Sequence, residues 1–407
     1  MEKKLLHTPE GVRDIYNGEC ARKQALQEKL HQVMKLYGYQ DMETPTFEYF
    51  DVFSREVGTI PSKDLYKFFD REGNTLVLRP DITPSIARAY AKYFSEEDMG
   101  MRISYMGNTF INNSSLQGRL KETTQLGAEL LGDDSVEADA EIAAMMIEML
   151  LRAGLKEFQV SIGQVEFFRS LLEEAGVDKQ TEQELKHLIT NKNIFGMEAL
   201  MEELQLNETL SNVFKSLPQM FGSVEMLDRA AAMTENVKAL AALERLKKLY
   251  EILQSYGYEK YVSFDLGMIG NYMYYTGVIF RAYTFGTGDA VVKGGRYDQL
   301  LGHFGKPAAS IGFVVQIDAL LKALTRQKIE VDTEEGPILV LYEQDMHAAA
   351  VKEAVKMRGE GKKAALMCRQ PEKSLEEYKS YAKRNNMPVI LYFETKGSST
   401  LCPEEEE

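Results

Sequence analysis

A chain of 407 residues, 44% hydrophobic and 27% charged, is too long for one ordinary core and reads as a globular protein of two or three domains. No run of about 18 apolar residues occurs, and the start, MEKKLLHTPEGVRD, has no apolar stretch behind its charges, so neither a membrane-spanning helix nor a secretory signal is expected. The net charge of −14 argues against a nucleic-acid partner, because polyanions are gripped through Lys and Arg on phosphates.

In chain order, residues 18–38 read as a helix, with Leu26, Leu30, Val33, Met34 and Tyr37 at helical spacing and Gly38 as the stop. Strand-like runs follow: YQDMETPTFEY, LYKFFDREGNTLVLRPD and RISYMGNTF, with DREGN as hairpin chemistry. SIARAYAKYF and residues 135–154 read as helices, and EFQVSIGQ and VSFDLGMIG as further strands. Residues 166–256 are nearly all helical in pattern, punctuated by Pro218 and Gly222. Strands resume at MYYTGVIFRAY, and ASIGFVVQIDALLKAL supplies a strand and a helix. Gly286 and Gly288 in FGTGDA suit a hairpin turn better than a phosphate cradle, since neither GxxxxGK[ST] nor a helix-opening GxGxxG occurs.

A mostly polar run then precedes Gly336-Pro337. The expected domains are therefore residues 1–325 with a helical insertion at about 166–256, a linker at 326–336, and a small α/β unit at 337–401. That last unit reads β-α-β-α-β, which implies a parallel or mixed sheet. Cys20, Cys368 and Cys402 are too few for a disulfide framework. The histidines are equally dispersed, and His303 has no carboxylate or cysteine at ligand spacing, so no metal site and a reducing cytoplasmic setting are expected.

The stretch RLKETTQLGAELLG, Arg119 to Gly132, alternates polar and apolar residues. On a strand, Gln125, Gly127 and Glu129 share one face, and Leu126, Ala128 and Leu130 the other. Either the polar face meets solvent, or the glycine leaves room between two groups that grip a small polar ligand.

TPEGVRD, ETPTFEY, LVLRPDITPSIAR, GRLKETTQLGAELLG, YYTGVIF, GGRYDQLL and ASIGFVVQID occur in the order found in histidyl-tRNA synthetases, and residues 8–325 resemble that family. The resemblance implies an α+β class II synthetase-like fold, an antiparallel sheet flanked by helices. The C-terminal unit resembles the synthetases' anticodon-binding domain only loosely. ETPTFEY with Pro45 resembles the motif that builds the family's homodimer interface.

The departures fall on the nucleotide chemistry. Where the synthetases carry an arginine on the ATP α-phosphate, FINNSSLQGR places Ile111, with Asn113 at the acidic position. The arginine of the histidine motif falls on Gly270 in GNYMYY, and that of motif 3 on Ala319 in QIDA. Adenylate formation joins two anions, and losing one charge-stabilising group typically costs ~10²–10³ in rate. The amino-acid pocket is retained by the same resemblance: Asp81, Thr83 and Gln125 toward the α-ammonium, Glu129, Tyr274 and Tyr275 toward the imidazole.

A chain of this kind, with the histidine pocket kept and the ATP chemistry lost, resembles the regulatory subunits of ATP phosphoribosyltransferase. That resemblance implies no catalytic residue and no cofactor of its own. It implies a short catalytic subunit as hetero-oligomeric partner in the first step of histidine biosynthesis, and free histidine as feedback effector. The alternatives are an active histidyl-tRNA synthetase and a pseudo-synthetase that senses tRNA or an amino acid. Five further residues stay open: Arg79 either orients Asp81 or caps its strand, Arg296 and Tyr297 either line the pocket mouth or pack structurally, and Arg119 and Lys121 either lie on a solvated loop or hold an anionic ligand.

Overall fold

The structure, a computed structural model, describes residues 6–53, 60–97, 99–113, 120–269, 275–395 and 397–403. The chain forms two compact units, one of residues up to Asp14 with Leu26–Val331, the other of Ile15–Ala25 with Asp332–Glu407.

The first helix, α1 (Asn17–Leu36), buries Leu26, Leu30, Val33 and Met34, the stripe that its periodicity marks. Next come β1 (Gln40–Asp41), β2 (Phe47–Tyr49), β3 (Lys67–Phe69) and β4 (Thr75–Leu78). The DREGN turn joins β3 to β4 antiparallel: Asp70 accepts the Asn74 N–H at 2.8 Å, and Gly73 takes a φ of 86°. Then follow α2 (Thr83–Tyr93), β5 (Met101–Phe110), β6 (Glu122–Leu131), α3 (Val136–Arg152) and β7 (Phe158–Gln164). Ser135 caps α3 by accepting the Ala138 N–H at 3.1 Å.

The helical stretch comprises α4 (Val165–Ala175), α5 (Lys179–Thr190), α6 (Ile194–Leu204), α7 (Glu208–Ser216), α8 (Glu225–Ala231) and α9 (Val237–Tyr256), with a two-residue β8 (Phe221–Gly222) between α7 and α8. The chain returns through β9 (Val262–Asp265), β10 (Val278–Thr284), β11 (Val292–Arg296), β12 (Ser310–Gln316) and α10 (Ile317–Arg326). FGTGDA is a hairpin turn between antiparallel β10 and β11.

Among the described residues the large sheet has the order β1-β5-β6-β12-β11-β10-β7-β9-β8. From β5 to β7 every pairing is antiparallel, as the resemblance implies. The margins differ: β1 lies parallel to β5, and β9 parallel to β7. A parallel pair needs a crossover, and the helical stretch α4–α9 is the crossover from β7 to β9. One face of the sheet packs Leu126, Ala128 and Leu130 into a core with α1, α3 and α9. Each of the two fully buried leucines is worth about 1.5–3 kcal/mol. The other face meets α2 through Ile82, Ile86, Tyr90 and Tyr105.

The second unit holds β13 (Ile338–Tyr342), α11 (His347–Gly359), β14 (Ala364–Cys368), α12 (Leu375–Arg384), β15 (Ile390–Glu394) and β16 (Gly397–Leu401). Its sheet runs β14-β13-β15-β16, parallel except for β16, which the sequence pattern does not mark as a strand.

Candidate functional site

Gln125 and Glu129 lie on β6, on the face opposite Leu126 and Leu130, and both line a cavity of about 700 Å³. That volume is within the range of about 300–1,000 Å³ typical of small-molecule sites. Asp81, Thr83 and Tyr275 line it too. Five of the six residues that the resemblance assigns to histidine therefore share one cavity. Tyr274, like Gly270 and Arg119, falls outside the described residues.

Glu129 is 1% exposed and is met by three hydroxyls. Thr83 Oγ1 donates to Oε1 at 2.8 Å, the Tyr105 hydroxyl donates to Oε1 at 3.0 Å, and the Tyr297 hydroxyl donates to Oε2. A carboxylate has about four acceptor directions. Among the described residues three are taken, and the one left is on Oε2. Burial pushes the Glu129 carboxyl up to about 7; the three hydroxyls pull it down, and the charge of Asp81 adds to the rise. Burial, reinforced by Glu129, also pushes Tyr105 and Tyr297 well up, so both phenols remain protonated donors.

The carboxylate sits there because its strand neighbour is glycine. Glu129 pairs with Gly312 on β12, and a Cβ at Gly312 would stand 1.6 Å from Glu129 Oε2. The role expected of Gly127 changes. A Cβ at Gly127 would stand 2.5 Å from the Tyr105 ring, so the glycine makes room for that tyrosine and not for a ligand.

Gln125 is 7% exposed, and its Oε1 finds no hydrogen-bond partner among the described residues. A buried acceptor left so costs about 1–3 kcal/mol, which an N–H donor in the cavity would relieve. Asp81 accepts the Ile82 N–H at 2.8 Å at the start of α2. Tyr275 stacks its edge over Gly295, and its carbonyl accepts from Arg169 on α4 at 3.2 Å.

The cavity lining also includes Ile111 and Ala319, together with Lys121, Lys293, Lys322, Asp64, Asp289 and Asp318. Lys293 is paired to Asp289 at 2.8 Å. The apolar replacements are thus accompanied by lysines, of which the sequence reading singles out Lys121 but not Lys293 or Lys322. Lys121 belongs to the cavity wall, while its stem lies over Gly11 and its N–H donates to the Gly11 carbonyl at 2.7 Å.

The open arginines have structural partners. Arg79 donates to the Thr44 carbonyl at 2.8 Å and the Asn108 carbonyl at 2.9 Å, with its guanidinium over Gly107. Arg296 turns away from the cavity onto buried Asp139, at 2.6 Å. Its neighbour Tyr297 points the other way, onto Glu129. Tyr105 carries no motif signal; only its register opposite Gly127 places it. Among the described residues no group of His, Cys, Asp and Glu is arranged to hold a metal, and no helix is long and apolar enough to cross a membrane.

Residues 11–320 match the family model of histidyl-tRNA synthetase. An ATP phosphoribosyltransferase regulatory subunit of Acetivibrio thermocellus is 40% identical over 356 residues, 88% of this chain and 85% of that one. Its namesake in Ruminiclostridium cellulolyticum is 36% identical over 401 residues, 98% of this chain and 95% of that one. A crystal structure described as an ATP phosphoribosyltransferase regulatory subunit/histidyl-tRNA synthetase from Bacillus halodurans superposes with a TM-score of 0.85 at 32% identity, covering 96% of this chain and 99% of that one. The chain belongs to the family of ATP phosphoribosyltransferase regulatory subunits, built on the class II histidyl-tRNA synthetase fold.

Proposed function

We propose that the chain is a non-catalytic, cytoplasmic subunit that a short ATP phosphoribosyltransferase requires for the first step of histidine biosynthesis, and that it binds free histidine at Glu129 to mediate feedback inhibition. The observation that carries the histidine reading is that, among the described residues, the Glu129 carboxylate keeps one acceptor direction on Oε2 and the Gln125 carbonyl finds no partner, both in the same cavity. An imidazole N–H fits the first and the α-ammonium the second. Asp81 adds negative charge for the ammonium, and Tyr275 supplies a phenol at the cavity wall.

The proposal that no adenylate forms rests on Ile111 and Ala319 at the cavity wall, where the resemblance expects arginines. Lys121, Lys293 and Lys322 keep the synthetase alternative worth testing, although a lysine is a point charge and not a bidentate fork.

We also propose a homodimer in which β2 meets a second copy. Phe47 and Tyr49, 52% and 57% exposed, share a face of the small β2-β4-β3 sheet with Phe68 and Leu76. Such a face suits a two-fold contact.

The test is to assay a short ATP phosphoribosyltransferase with and without this chain, and with L-histidine added. The expected result is activity only with the chain, and its suppression by histidine. Full activity of the short enzyme alone, or indifference of the pair to histidine, overturns the corresponding half of the proposal.

A further inference from the structure

Asp139, in the first turn of α3, is 0% exposed, and a different arginine holds each of its oxygens. Arg296 donates to Oδ1 through Nε at 3.0 Å and Nη2 at 2.6 Å. Arg245, on α9, donates to Oδ2 through Nε at 2.6 Å. Both guanidiniums also grip the turn before α3. Arg245 reaches the carbonyls of Asp134 at 2.9 Å and Ser135 at 3.1 Å, and Arg296 reaches those of Asp133 at 3.0 Å and Ser135 at 3.4 Å.

Arg296 ends β11, and the next residue is Tyr297, whose hydroxyl holds Glu129 Oε2. Thr83 and Tyr105 both serve Oε1. Tyr297 is therefore the hydroxyl that sets the oxygen carrying the remaining acceptor direction. We propose that Arg245 is a positioning residue for ligand binding at Glu129, acting through Asp139 and Arg296 on the Tyr297 hydroxyl. The inference rests on reading the Glu129 cavity as a histidine site.

The physical reason is the sharing of one carboxylate. Without Arg245, Asp139 Oδ2 loses its charged donor in a buried site. A planar guanidinium can span both oxygens of a carboxylate. Arg296 then gains by swinging from its one-oxygen grip to a fork across both, which draws it off the Asp133 carbonyl and off Asp298 Oδ1, now 3.3 Å away. Tyr297 is one peptide further on and follows. A shift of about half an ångström stretches the short Tyr297–Glu129 bond to the long end of the hydroxyl–carboxylate range and weakens it.

A second consequence separates positioning from mere support. Glu129 faces Asp81 and Thr83 at the start of α2, Tyr105 on β5 and Tyr297 after β11, with Tyr275 next to Tyr297 before β10. The Tyr297 bond favours the ionised carboxylate, so weakening it lifts the carboxyl further. The pH at which the ligand-accepting charge develops then rises.

The experiment is calorimetric titration of L-histidine into the full chain from about pH 5.5 to 8.5, for the wild type, Arg245→Met, Arg245→Lys and Lys247→Met. Lys247 lies on the same helix and pairs with Asp228 at 2.6 Å, remote from this chain of contacts. Arg245→Met is expected to weaken histidine roughly 3- to 30-fold and to move the pH midpoint upward, Arg245→Lys to recover part of both, and Lys247→Met to match the wild type. Wild-type affinity and midpoint in Arg245→Met overturn the inference, as does an equal loss in Lys247→Met. If Arg245→Met does not fold, Arg245→Lys decides: a weakened, shifted titration supports the inference and a wild-type one overturns it. Absence of binding by the wild-type chain overturns the histidine reading itself, and this inference with it.

Discussion

Glu129 Oε2 occupies the space that a side chain at Gly312 would need, 1.6 Å from where its Cβ would stand. The two residues are cross-strand partners on β6 and β12, so the pocket carboxylate is held over a bare backbone. Gly312→Ala is expected to displace the carboxylate and weaken histidine at least ~10-fold, the low end for losing a hydrogen bond to a charged group. The same change at Gly359, at the end of α11 and away from the cavity lining, where nothing lies within 4 Å, is expected to leave affinity unchanged. Calorimetry on both variants checks this; equal affinities remove Glu129 from the site.

Glu129→Gln keeps the shape and removes the charge. If the carboxylate accepts the imidazole N–H, affinity falls by roughly 1.5–3 kcal/mol, or about 10- to 150-fold, with the fold intact by circular dichroism. Unchanged binding would place the sensing site elsewhere.

The pH dependence follows from the raised carboxyl. The folded value for Glu129 is about 7 against an ordinary 4.5, so the folded chain holds this proton more tightly than the unfolded chain. Its stabilising contribution is complete below about 4.5 and is lost as the pH rises through 7. Urea denaturation of wild type and Glu129→Gln should diverge across that window, the wild type losing on the order of 3 kcal/mol relative to the variant. Parallel profiles would refute it. Histidine affinity should rise over the same interval as the carboxylate ionises.

Purified chain should catalyse no histidine-dependent exchange of pyrophosphate into ATP, because Ile111 and Ala319 bring no charge to the cavity wall. Exchange above background would restore the synthetase alternative and give Lys121, Lys293 and Lys322 a role in it.

Light scattering at micromolar concentration should report twice the chain mass of 46.2 kDa. Replacing Phe47 and Tyr49 with Ser is expected to shift the population toward monomer, since each loses about 1.5–3 kcal/mol of burial at a shared face. A wild-type monomer at that concentration counts against the dimer.

Much of the architecture is a local matter. The stripe of α1, the Ser135 cap of α3, the DREGN hairpin and the alternation of β6 each follow from side chains within a few residues of one another, and periodicity exposes them. In β6 that alternation already separates Gln125 and Glu129 from Leu126 and Leu130. It could not say what stands opposite. Tyr105 and Tyr297 reach Glu129 from 24 and 168 positions away, and only strand register brings them there. Register also assigns Gly127 to Tyr105 and Gly312 to Glu129, and it opens an edge that β16 fills without any apolar pattern of its own. Helical and strand periods are set by neighbours along the chain, whereas the contents of a pocket are set by pairings between distant strands, which no local spacing encodes.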